Sequence, residues 1–197
     1  IEEMVQDYHC TISSMDEHQV VVSVNSSVPT ISEPSVSVTL YQGLPKSDKM
    51  DSVVQKAVEM GVTRIVPMLT QRCVSRPDQK SAQKKVERWQ KISVEAAKQC
   101  GRGILPPVSP LTDFSAALRQ SVSESTALFF YEGGGQSLQQ CIDPSCKAYS
   151  IFIGPEGGFS EEEVQFALDL GAKKATLGPR ILRTETAPVA ALAAIML

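Results

Sequence analysis

Two apolar runs, Thr126–Tyr131 (TALFFY) and Tyr149–Ile153 (YSIFI), restrict this chain more than any other feature. A strand with one wet face alternates apolar and polar side chains. A run that stays apolar fits a strand covered on both faces, the environment of a parallel sheet flanked by helices. The helices such a sheet requires are legible. Met50, Val53, Val54, Ala57 and Val58 fall at i, i+3, i+4, i+7, i+8, one apolar helix face, with Gly61 placed as a left-handed terminator. Val86, Trp89, Ile92 and Ala96 mark a second amphipathic helix, ended by Gly101. Val62–Pro67 and Lys174–Leu177 read as short strands. Ser160 and Glu163 form a capping box for a helix that stops at Gly171, and Pro188–Leu197 begins a last apolar helix. Strand and helix in alternation predict an α/β fold with a parallel sheet.

The first forty residues differ. His18–Val24 alternates in part, Val36–Leu40 is short and β-branched, and Asn25–Pro34 is rich in Ser, Pro and Asn, as a loop would be. Strand-like sequence from Ile1 onward is expected to belong to a small β domain whose start is absent, giving a division into 1–40 and 41–197. At 197 residues one domain with a small appendage is the expectation, and no apolar run reaches the roughly 18 residues of a membrane span. The N-terminus also lacks the pattern of a signal peptide.

Charge follows the same division. The net charge is −3, yet residues 1–40 hold six acidic residues and neither Lys nor Arg, so the remainder is +3. Between Arg72 and Arg102 nine basic residues face only Asp78, Glu87 and Glu95. A basic face of that kind serves a polyanion or simply solvates a helix. Five cysteines, an odd number never spaced Cys-x-x-Cys, with only His9 and His18 besides, give no expectation of a metal site; free thiols in a reducing compartment are expected.

Two glycine-bearing loops carry the chemistry. In IFIGPEGGFSEEE, residues 151–163, a buried strand runs into Gly154-Pro155-Glu156-Gly157-Gly158 and then a capped helix. Such a turn lets backbone approach a ligand without Cβ atoms in the way. It is neither a phosphate-binding P-loop nor a dinucleotide fingerprint, and the acids Glu161–Glu163 would repel phosphate. In LGPRILRTETAP, residues 177–188, two arginines, a glutamate and two threonines crowd a strand-to-helix connection. Thr184 or Thr186 as a helix cap accounts for the threonines and not for Arg180, Arg183 and Glu185 together. At the C-terminal ends of parallel strands, both loops would line the ligand crevice of an α/β sheet.

GPEGGFS followed by LGPRILRTETA resembles the SPOUT class of methyltransferases, and more narrowly the 16S ribosomal RNA (uridine-N3) methyltransferase family. The resemblance extends upstream through LPKSDKMDSVVQKAVEMGVTRIVP and RWQKISVEAAKQCGRGILP, covering roughly 40–197. Cys100 and Met60 are small departures from the family's pattern. The resemblance implies a partial PUA-like β domain, then an α/β domain with a C-terminal trefoil knot, a homodimer, and S-adenosyl-L-methionine as cofactor. Carried over by position, Gly154, Pro155, Glu156, Gly157 and Gly158 form one cofactor loop, and Leu177, Gly178, Ile181 and Leu182 the other. The implied substrate is a uridine of small-subunit ribosomal RNA, free or in the particle. The implied compartment is the cytoplasm, or an organelle if a transit peptide has been removed.

Methylation at uridine N3 needs a weakly acidic proton removed and the imide anion stabilised. Arg183 and Arg180 are the candidates to stabilise it. Glu185 would act as base, or would orient an arginine through a bidentate pair. Lys46, Arg72, Arg76 and Arg102 are candidates for holding the RNA backbone. Two other readings stand beside this one: an enzyme of the same class acting on another RNA or base, and a non-catalytic RNA-binding module that keeps the fold.

Overall fold

In a computed structural model, which describes residues 5–196, the two apolar runs lie side by side as parallel strands. The elements in chain order are β1 (Gln6–Met15), β2 (Val20–Pro29), β3 (Ser37–Gly43), α1 (Lys49–Glu59), β4 (Arg64–Leu69), α2 (Gln79–Cys100), β5 (Thr112–Asp113) and α3 (Phe114–Glu124). Then follow β6 (Thr126–Phe130), β7 (Gln136–Ser137), α4 (Leu138–Cys141), β8 (Ala148–Ile153), α5 (Glu161–Asp169), β9 (Lys173–Thr176) and α6 (Ala187–Met196). Seven strands form one parallel sheet in the order β5-β4-β3-β8-β6-β9-β7. Ile1 and Leu197, where the sequence places a strand-like start and a helix end, lie outside the described residues.

The register explains the runs. Leu128 pairs with Ile151, and Phe129 with Phe152. Leu128 and Ile151 join Val53, Val54, Trp89 and Leu192 of α1, α2 and α6 in one apolar cluster. Phe129 and Phe152 join Phe114, Leu118, Val164 and Ala167 of α3 and α5 in the other. Successive residues of a strand point to opposite faces, so both positions must be apolar when helices cover both. Gly61 at φ +94 and Gly101 at φ +72 end α1 and α2 as expected, and the capping box of Ser160 and Glu163 starts α5.

The expected boundary between residues 40 and 41 is corrected. It cuts through β3, which lies between β4 and β8 with Leu40 and Tyr41 wholly buried. What stands apart is the β1–β2 hairpin, a two-stranded antiparallel ribbon with Tyr8, Ile12, Met15, Val20 and Val24 exposed. Its second strand runs on to Pro29, through part of the segment expected as a loop. Among the described residues no helix is long and apolar enough to cross a membrane.

Candidate active site

The loops that follow β6, β8 and β9 converge on one cleft of about 490 Å³. That is within the roughly 300–1,000 Å³ of small-molecule sites, at the C-terminal ends of parallel strands where α/β sheets hold ligands. All nine residues expected to hold the cofactor line it: Gly154 to Gly158, Leu177, Gly178, Ile181 and Leu182. So do Arg180, Arg183 and Glu185. Both arginines are exposed at the cleft, as is Ile181.

Glycine is required where the first loop is tightest. Gly158 has φ +65, and a Cβ there would lie 2.5 Å from Glu132 Oε1. Beneath the loop, a Cβ on Gly43 would sit 2.6 Å from Pro155 Cδ and 2.7 Å from Pro155 N. The backbone of β3 therefore touches the loop with no side chain between.

A buried hydrogen-bond chain ties the two loops together. Thr184 Oγ1 donates to the Gly154 carbonyl at 2.7 Å and accepts from Gln42 Nε2 at 2.9 Å. Gln42, wholly buried at the end of β3, also donates to the Gly43 carbonyl at 3.0 Å. Thr184, one of the two candidate caps of the last helix beside Thr186, turns inward and clamps one motif onto the other.

Glu185 does not orient an arginine. Its cation is Lys49, at the start of α1: Lys49 Nζ lies 3.5 Å from Glu185 Oε2 and 2.9 Å from Glu156 Oε1. Glu185 Oε2 is buried and accepts no hydrogen bond. The hydrogen bond to Glu156, with the charge of both carboxylates, raises the Lys49 ammonium above its ordinary value despite its partial desolvation. Burial pushes the Glu156 carboxyl up, but Lys49 and the Lys46 backbone N–H outweigh it and hold it below the usual range.

The candidates for holding RNA divide. Lys46 is exposed, and its N–H donates to Glu156 at 3.2 Å. Arg72 Nη1 donates to the Gly157 carbonyl at 3.0 Å, buttressing the 154–158 loop. Arg76 Nη2 donates to the carbonyls of Thr70 and Gln71, just past β4, at 2.8 and 3.0 Å. Arg102 is corrected outright: its side chain is 3% exposed and grips Glu33 and two carbonyls, so it offers RNA nothing.

Sequence reasoning missed Gln42, Lys49 and Glu132. Lys49 and Gln42 lie in or beside the quoted upstream motif without any local sign of a partner. Glu132 carried a readable signal: an acid directly after a buried strand and before Gly133–Gly135.

The RNA methyltransferase domain family model matches residues 32–196. The chain is 35% identical over 193 residues to ribosomal RNA small subunit methyltransferase E of Bacillus subtilis, covering 94% of this chain and 75% of that protein. It is 32% identical to the protein of the same name from Aquifex aeolicus, covering 96% and 80%. Among solved structures, ribosomal RNA small subunit methyltransferase E from Neisseria gonorrhoeae, bound to S-adenosyl methionine, superposes with a TM-score of 0.87 at 36% identity, covering 97% of this chain and 78% of that one. With a cleft built from the same two glycine loops that carried the resemblance, the chain belongs to the ribosomal RNA small subunit methyltransferase E family of RNA methyltransferases.

Proposed function

We propose that this protein transfers a methyl group from S-adenosyl-L-methionine to N3 of a uridine in small-subunit ribosomal RNA. The observation that carries the reading is the pair of loops clamped through Thr184 onto one cleft, in a chain of this family. The residues present fit such a cofactor. Gly157 and Gly158 let the loop pack closely against Arg72 and Glu132, where a Cβ would lie 3.1 Å from Arg72 Cβ and 2.5 Å from Glu132 Oε1, and Leu177 and Leu182 offer apolar lining for an adenine. When bound, the sulfonium supplies an electrophilic methyl group.

The chain's own residues do the rest. Glu185 Oε2, a buried carboxylate oxygen that accepts no hydrogen bond, takes the uridine N3 proton. Lys49 holds Glu185 beside Glu156 and keeps the neighbouring carboxylates compensated. Arg183, with Arg180 beside it, places its donors on the developing imide anion at O2 and O4. Lys46, exposed beside the cleft, meets the RNA backbone.

The finer architecture follows the family resemblance. The loops at 154–158 and 177–187 belong to a trefoil knot of the SPOUT type. The β1–β2 hairpin belongs to a PUA-like domain. The apolar α6 supplies a twofold homodimer interface, and the protein works where ribosomes are assembled, in the cytoplasm or an organelle.

The test is methyl transfer from labelled S-adenosyl-L-methionine to small-subunit particles and to naked ribosomal RNA, with the product nucleoside identified by mass spectrometry. Label in 3-methyluridine supports the reading. Label in any other nucleoside, or cofactor binding with no transfer to either RNA, refutes it.

A further inference from the structure

One wall of the cleft comes from neither glycine motif. Glu132 lies two residues past the end of β6, beyond the C-terminal end of an interior strand, and lines the cleft with Gly157 and Gly158. Its carboxylate lies flat against the loop: a Cβ on Gly158 would meet Oε1 at 2.5 Å and Oε2 at 2.7 Å. Arg72 Nη1 is 4.0 Å from Oε1, close enough to compensate the charge and too far to hydrogen-bond it. Among the described residues no donor reaches either oxygen, and the side chain is 39% exposed. Glu132 is thus an acceptor-only group with two open oxygens at the rim of a nucleoside-sized cleft.

Building on the cofactor reading above, we propose that Glu132 binds the ribose of the cofactor, accepting hydrogen bonds from its 2′- and 3′-hydroxyls. Vicinal hydroxyls present two donors side by side, matched to the two oxygens of one carboxylate. An acid at the C-terminal end of a parallel strand serves a ribose in the same way in dinucleotide-binding sheets, which sets a physical precedent on another fold. The alternative donor on this cofactor is the ammonium of its methionine part. Arg72 argues against it, because Glu132 already has its compensating cation and a second would sit beside the first. A neutral diol gains charge-assisted hydrogen bonds without that repulsion.

The reading gives Arg72 a double part. It fixes the Gly157 carbonyl and faces the ribose-binding carboxylate from behind, so β4's trailing loop helps to shape the nucleoside site. Glu132 then selects for a ribonucleoside over its deoxy counterpart.

The experiment is calorimetric titration of the full chain and of Glu132→Gln and Glu132→Ala. The probes are S-adenosylhomocysteine, methylthioadenosine, which has the diol and no amino acid, and 2′-deoxymethylthioadenosine. Both substitutions should weaken the first two probes by about ten- to hundredfold, as lost hydrogen bonds to a charged group do. They should weaken the deoxy probe by a smaller factor, since it keeps the 3′-hydroxyl and lacks only the 2′-hydroxyl. The unaltered protein should itself bind the deoxy probe at least about tenfold more weakly than its ribose counterpart, a comparison that needs no variant to fold. Equal affinity of the unaltered protein for both, or variants that bind methylthioadenosine normally, overturns the proposal. Variants weakened only for S-adenosylhomocysteine assign Glu132 to the ammonium and overturn it too. If the unaltered protein binds none of the three, the cofactor reading itself fails.

Discussion

Removing Arg102 should unfold this protein more readily without touching its chemistry. The guanidinium is 3% exposed and Glu33 14%, so the pair is nearly out of water. Arg102 Nε donates to Glu33 Oε1 at 2.9 Å and Nη2 to Oε2 at 2.7 Å, a planar two-point grip that lysine cannot reproduce. Nη1 donates to the carbonyls of Val58 and Val62, at 2.8 and 3.1 Å, around the C-terminal end of α1, where a cation also suits the helix dipole. In Arg102→Ala the Glu33 carboxylate keeps only the N–H groups of Gly103 and Ile104, the Val62 carbonyl loses its guanidinium donors, and the Val58 carbonyl keeps only the Gly61 N–H. Breaking a buried pair by deleting one partner costs about 3–5 kcal/mol. At about 2–4 °C per kcal/mol for a chain of this size, the melting temperature should fall by about 6–20 °C. The pair also sets a pH dependence. Burial pushes the Glu33 carboxyl up, but Arg102 and the two N–H groups outweigh it, leaving the folded value below the ordinary 4.5. The stabilisation is therefore complete above the unfolded value and is lost as pH falls through the folded one. Urea titrations at pH 7 and pH 4 on the unaltered protein, Arg102→Ala and Glu33→Gln measure both effects. Between those pH values Glu33→Gln should lose less stability than the unaltered protein. A loss under about 1 kcal/mol for Arg102→Ala, or normal stability with weakened RNA binding, would return Arg102 to the RNA surface.

Three further outcomes are expected. Gly43→Ala should push Pro155 aside, costing about 1–3 kcal/mol as overpacking does, and cofactor affinity by calorimetry should fall with it. Thr184→Val keeps the shape but leaves Gln42 Nε2 with the Gly43 carbonyl as its one close acceptor and the Gly154 carbonyl with only a 3.5 Å contact from Gln42; denaturation should show a loss of about 1–3 kcal/mol. Arg183→Ala should slow methyl transfer by about 10²–10³-fold with melting temperature and cofactor affinity unchanged, and Arg183→Lys should restore little. Loss of cofactor affinity in step with rate would make Arg183 a cofactor residue and leave Arg180 to stabilise the anion.

The sheet was legible because burial on both faces leaves a local trace. Leu128 and Phe129 are adjacent in sequence and serve opposite apolar clusters, so the run had to be continuous. The two-residue strands β5 and β7 leave none, since a strand that short has no period to read. The face of α3 was harder to see, because buried Ser121 interrupts the stripe of Phe114, Ala117 and Leu118. β3 was split by the expected boundary for a related reason: Val36–Leu40 looked like the end of a β segment, and only its pairing with β4 and β8 assigns it to the sheet.

The site shows the same limit in sharper form. Glycines announce their loops, since a bare backbone needs that residue type whatever its neighbours. A charged side chain announces only its charge, and its partner is chosen in three dimensions. Gln42 and Thr184 meet across 142 residues, and Lys49 reaches Glu185 from the start of α1. The basic stretch from Arg72 to Arg102 and the acidic stretch before residue 40 read as separate features of the surface. Yet the last cation of one and the last anion of the other, Arg102 and Glu33, are bound to each other in the interior. Part of the charge asymmetry that pointed outward to a polyanion is thus internal wiring. It fastens the segment leading from the hairpin to the end of α1 and the turn after α2, and the cations left to meet RNA are those that the fold does not use.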